Sequence, residues 1–268
     1  MKSTIIFIHG MFQNAKSWGK WVEYFTAKGY NCIAESWPLH EGEPADLRAN
    51  PPVGLGELRL ATITQKYREL AASQTEKPII IGHSVGGLIT QILVNEGLAK
   101  LGVPISSVAP NGMISLDWGF AKNSAMIMNP LKGDEIFTMD LEGFQGAFAN
   151  TLTLEAAKVP FEQTATHDSR NVLRDCLGDD GKVDLDLPHV PLLFVAGEKD
   201  EIIPYELCEK NAEAYTDEIS FVDHRTFNNR SHFICYEPGY EEVLSFVANW
   251  IEQKENAPAF DTTPIKIN

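Results

Sequence analysis

Residues 78–82, Pro-Ile-Ile-Ile-Gly, carry no polar side chain on either set of alternating positions. Successive side chains of a strand point to opposite faces, so such a run fits only where both faces of a sheet are covered. It leads straight into Gly82-His83-Ser84-Val85-Gly86-Gly87 and then into an apolar helix pattern.

The same alternation recurs along the chain. Residues 4–10 (TIIFIHG) predict a buried strand. Residues 17–30 predict a helix with Trp18, Trp21, Val22 and Phe25 inward and Gly29 as its stop. Residues 31–38 predict a second strand, and 55–72 a long helix with Leu58, Leu60, Ile63 and Leu70 inward. After the third strand and its helix (85–102), residues 104–112 predict a fourth strand. Residues 191–200 and 218–227 predict the fifth and sixth strands, each followed by a helix. Strand–helix alternation implies α/β architecture: about six mainly parallel strands with helices on both faces. The rhythm fails over 112–187, which reads helical and irregular. The expected organisation is a core of residues 1–111 and 188–253, a helical cap or lid over 112–187, and a C-terminal tail over 254–268. An insertion after the fourth strand emerges at the carboxyl edge of the sheet, where α/β folds bind ligands.

The formal net charge of −15 disfavours nucleic acid and anionic membrane as partners. Cys32, Cys176, Cys208 and Cys235 form no metal-type spacing and read as reduced thiols. There is no signal-peptide pattern and no apolar stretch of spanning length, so a cytoplasmic soluble protein is expected.

Residues 82–86 make a full G-x-S-x-G between a buried strand and a helix, the context of a nucleophile elbow. The serine must protrude from a strained turn, and glycines two places either side relieve the collisions. The helix starting at Val85 aims free N–H groups and its positive dipole end at the same point. A serine needs a base and an orienting acid. Asp200, after the fifth strand, is the preferred acid, with Glu198 and Glu201 close by in spacing. His232, in the loop after the sixth strand, is the expected base. His224 falls within a strand and reads as structural. His9 and His83 flank the site as supporting residues, and His40, His167 and His189 carry no signal. The Met11 and Val85 amides are the expected oxyanion donors, Met11 lying in the loop His9-Gly10-Met11-Phe12 after the first strand.

His9-Gly10-Met11, the GHSVGG elbow, Ala196-Gly197-Glu198-Lys199-Asp200 and Ser231-His232-Phe233 arrive in one order, and over about residues 4–253 the chain resembles the α/β-hydrolase superfamily. It starts at what that family numbers as its third strand, which implies a six-stranded sheet. Ser231 stands where the family often has glycine. The resemblance implies acyl transfer to water on the esterase or lactonase side, without cofactor or metal. Epoxide hydrolases and haloalkane dehalogenases of this fold need an aspartate nucleophile. The size and insertion also resemble bacterial lactonases that open N-acyl-homoserine lactones, the quorum-quenching enzymes.

The expected ligand is a small hydrophobic acyl ester or lactone. Gly10, Phe12, Met113, Phe144 and Phe148 are candidate substrate-binding residues. Met113, Phe144 and Phe148 belong to a Met- and aromatic-rich set in the insertion that includes Trp118, Phe120, Met126, Met128, Phe137 and Met139. The competing expectation is a non-catalytic binding or sensor protein on a hydrolase scaffold.

Overall fold

The computed structural model describes residues 2–114, 124–217 and 219–256; Trp118 and Phe120 lie outside them. Its strands are β1 (Thr4–Ile8), β2 (Asn31–Ala34), β3 (Ile79–His83), β4 (Leu101–Ile105), β5 (Leu192–Gly197) and β6 (Val222–Phe227). They form one sheet in the order β2-β1-β3-β4-β5-β6, every pair parallel. The principal helices are α1 (Gly19–Ala27), α2 (Leu60–Ala72), α3 (Val85–Asn95), α4 (Tyr205–Glu213) and α5 (Tyr240–Glu255).

The two-sided apolar pattern of β1 and β3 decides the layering. Ile5, Phe7, Ile79 and Ile81 pack with Trp21 and Phe25 of α1 and Val243, Val247 and Ile251 of α5. The alternate residues Ile6, Ile8 and Ile80 pack on the other face with Ile63 and Tyr67 of α2 and Leu88 and Ile92 of α3. Each such side chain contributes about 1.5–3 kcal/mol on burial. Because β1 lies between β2 and β3, winding reverses at β1/β3, and the open crevice falls at their carboxyl ends.

The fourth strand is Leu101–Ile105, several residues before the expected start at Pro104. The helical pattern through residue 102 is cut short by Gly97, which takes φ +70° and closes α3; Leu98 N–H returns to Leu93 O at 2.9 Å. Leu58 is buried but precedes α2, which begins at Leu60. The insertion between β4 and β5 contributes helices Leu154–Thr164 and Arg170–Asp175 and a π-type turn Phe144–Phe148. An antiparallel bridge joins Phe137 to Asp168. No helix among the described residues is long and apolar enough to cross a membrane.

Candidate active site

Ser84 directly follows β3 at φ +57°, ψ −120°, a conformation that costs an ordinary residue about 1–3 kcal/mol. The surroundings hold it there. Its amide donates to Ile105 O at 2.9 Å, and its carbonyl accepts from the Gly87 and Val108 amides at 2.9 and 3.1 Å. The flanking glycines are required by backbone as much as by the serine. A Cβ on Gly82 would lie 2.0 Å from Gly86 O, and one on Gly86 would lie 2.3 Å from Ile8 O. This closeness seats the start of α3 on the end of β1.

The ends of β5 and β6 are joined by main-chain bonds. Glu198 N–H donates to Phe227 O at 2.9 Å and Lys199 N–H to Arg230 O at 2.8 Å. A Cβ on Gly197 would sit 2.5 Å from Arg230 O, so the two loops touch backbone to backbone. This brings Asp200 Oδ2 to 2.7 Å from His232 Nδ1, both side chains fully buried. Asp200 Oδ1 accepts the Ile202 and Ile203 amides at 2.9 and 2.8 Å, so both carboxylate oxygens are engaged. His232 Nε2 is buried without a hydrogen-bond partner among the described residues. Glu198 instead accepts the Asn229 amide at 3.0 Å, a bond that lowers its pKa. Glu201 is exposed.

The loop after β1 lies against the elbow: a Cβ on Gly10 would meet Ser84 Cβ at 2.7 Å. His9 Nε2 accepts the Trp37 amide at 2.9 Å, so its Nδ1 carries the proton and donates to Gly10 O at 2.8 Å. Burial, with repulsion from His40, holds the His9 pKa well below its ordinary value and keeps the ring neutral. His83 is likewise pushed well down by burial, then by His232, and its Nε2 donates to the His232 carbonyl at 2.8 Å. His224 lies in β6.

Met11, Phe12, Ser84 and Val85 line one side of a cavity of ≈ 120 Å³. Met126, Phe137, Met139 and Phe148 of the insertion line another, and no charged side chain is among the described residues that line it. Gly10, Met113 and Phe144 are not among them: Phe144 turns into the core, its ring 5.1 Å from Phe233 and 5.7 Å from Phe161.

Three buried polar residues around these loops had no role in the sequence reading. Asp168 accepts the Phe12 amide, His40 lies beside Asp168, and Glu237 accepts from Ser231. A local signal exists only for Glu237, a lone carboxylate a few residues after His232. Among the described residues no group of three or more His, Cys, Asp or Glu is placed to hold a metal ion.

A family model described as the alpha/beta hydrolase family matches residues 5–244. The chain belongs to the alpha/beta hydrolase family. Among solved structures it is similar to polyneuridine aldehyde esterase, with TM-score 0.66 and 16% identity over 94% of this chain and 100% of that one. A monoacylglycerol lipase from Paleococcus ferrophilus gives 0.66 and 18%, covering 94% of each chain. Tomato methylketone synthase I complexed with 2-tridecanone gives 0.70 and 13%, over 95% and 99%. These likenesses are of fold. No curated protein matches the sequence.

Proposed function

We propose that this hydrolase cleaves a neutral carboxylic ester or lactone through an acyl-enzyme on Ser84. The reading rests chiefly on the buried His232–Asp200 pair, whose Nε2 has no hydrogen-bond partner among the described residues, on a loop tied by the His232 carbonyl to His83, the residue before a serine held in a strained elbow. Asp200 fixes the tautomer with the proton on Nδ1, leaving the Nε2 lone pair as base. Ser84 Oγ attacks the carbonyl carbon while Nε2 takes its proton. The tetrahedral oxyanion forms under the Met11 and Val85 amides. Collapse expels the alcohol oxygen, which takes the proton from His232. Water, deprotonated by the same nitrogen, then releases the acid and restores Ser84.

The apolar lining supports an uncharged acyl group. Residues 112–187 act as the lid in this reading. Lactone opening is the same chemistry, so N-acyl-homoserine lactones belong to the proposed class. Two similar structures bear esterase and lipase names, in keeping with this class.

A fluorophosphonate probe should label Ser84. Ser84→Ala should lower turnover of p-nitrophenyl esters by at least about 10⁴-fold. Ligand binding without labelling or turnover would favour a non-catalytic binding protein instead.

A further inference from the structure

Phe12 is gripped from the insertion. Its amide donates to Asp168 Oδ2 at 2.9 Å, and its carbonyl accepts from the Thr166 amide at 2.9 Å. Phe12 takes φ +61°, a strained conformation for a side-chain-bearing residue. Asp168 is completely buried. Its Oδ1 accepts the Ser169 amide at 2.7 Å, and its backbone is tied to Phe137 by bonds of 2.8 and 3.1 Å. His40 Nε2 faces Oδ2 at 3.4 Å.

One peptide earlier, Gly10 O is held by His9 Nδ1. The two peptide planes that meet at Met11 are therefore each anchored by a buried side chain, His9 from the core and Asp168 from the insertion. Both anchors are needed to fix the backbone angles of Met11. If the Asp168 bond is lost, the strain at Phe12 favours rotation of the Met11–Phe12 peptide, and the preceding peptide, which carries the Met11 N–H, keeps its His9 bond but loses the fixed neighbour that sets the Met11 backbone angles.

We propose that Asp168 is a positioning residue for the oxyanion hole: a carboxylate from the insertion locks the Met11–Phe12 peptide and, with His9 on the preceding peptide, fixes Met11 so that its amide is aimed above Ser84. The proposal rests on the serine-hydrolase reading of Ser84. It makes the insertion part of the assembly of the hole as well as a wall of the cavity.

The test compares Asp168→Asn, Asp168→Ala and Asp168→Ser with Ser169→Ala. The Asn variant keeps the shape but offers one acceptor oxygen to two backbone donors. Ser169 donates its hydroxyl to Gly56 O at 2.8 Å, so its loss weakens the insertion's attachment without touching Phe12. Each protein is assayed for kcat and KM on p-nitrophenyl butyrate. Each is also assayed for inhibition by a trifluoromethyl ketone, which adds to serine as an oxyanion, and by the methyl ketone of equal length.

Removing a hole donor costs about 10²–10³ in kcat, so misaiming one should cost at least about tenfold. The Asp168 variants should lose that much kcat with KM within about threefold. They should bind the trifluoromethyl ketone at least about tenfold more weakly and the methyl ketone almost unchanged, whereas Ser169→Ala should alter none of these beyond about threefold. Wild-type kcat in Asp168→Asn, the same losses in Ser169→Ala, or failure of all three Asp168 variants to fold would overturn the proposal. If the wild type neither turns over esters nor labels at Ser84, the hydrolase reading itself fails. If it does both and Asp168→Asn is unimpaired, only the positioning role fails.

Discussion

His232 Nδ1 sits 2.7 Å from Asp200 Oδ2, and the other Asp200 oxygen is occupied by two backbone amides. This leaves Asp200 one orientation and His232 one tautomer. Asp200→Asn can turn its amide N–H toward Nδ1, which moves the ring proton to Nε2 and removes the base. The expected result is a fall in kcat of about 10⁴-fold with KM changed little, measured by steady-state ester hydrolysis. A variant within tenfold of wild type would exclude Asp200 as the orienting acid.

Gly10 faces Ser84 directly. A Cβ there would approach Ser84 Cβ to 2.7 Å and His83 O to 3.1 Å. One of those atoms is backbone, and the other belongs to a side chain fixed by the elbow. Gly10→Ala should therefore force β1's loop away from α3 and widen the gap between the Met11 and Val85 amides. Ester kcat should drop at least about 10²-fold, with a fall of about 1–3 kcal/mol in urea-unfolding stability from overpacking. Unchanged phosphonate labelling rates would contradict this.

Ser231 places its amide at 2.9 Å and its hydroxyl at 2.8 Å on the Glu237 carboxylate, which also accepts the Thr151 hydroxyl from the insertion. A buried carboxylate thus fixes the residue preceding His232, where the family often has glycine. Glu237→Ala strands the buried Ser231 amide and hydroxyl, so unfolding free energy should fall by about 2–3 kcal/mol. Ser231→Gly removes only the hydroxyl and should cost less. Equal losses in the two variants would show that the amide bond contributes nothing.

The sheet, the strained turn at Ser84 and the loops that bring Asp200 to His232 were legible because each has a local cause. An apolar triplet demands two covered faces, and a serine in a left-handed turn demands glycines around it. The end of α3 was not, since Leu98 and Leu101 extend the apolar pattern past Gly97 and only its positive φ closes the helix. Asp168 was invisible for another reason. Its meaning lies in an amide 156 residues away, and no spacing rule links them. Phe144 and Phe148 also look alike in sequence, yet one fills the core and the other lines the cavity. In an irregular segment no periodicity assigns a face.

His40 and His9 carry opposite pH dependences within one cluster, their rings 5.8 Å apart. Burial would lower the His40 pKa, but the Asp168 carboxylate, the Pro38 carbonyl and Glu41 together override it and raise the value above 6.5. His9 and His83 are held well below that value, chiefly by burial. A raised histidine stabilises fully below its unfolded pKa of 6.5, and that contribution is lost as pH climbs through the folded value. The lowered pair stabilise above 6.5, and their contribution is lost as pH falls toward their folded values. The wild type should therefore lose stability on acidification, and replacing His40 should remove a contribution confined to the acid side. The gap in unfolding free energy between wild type and His40→Gln, followed by urea titration from about pH 6 to 9, should be widest at the low end and narrow steadily upward. His9 and His83 are present in both proteins, so the contribution they lose below 6.5 is common to the two and cancels in the difference. A gap constant across it would mean that His40 stays neutral beside Asp168.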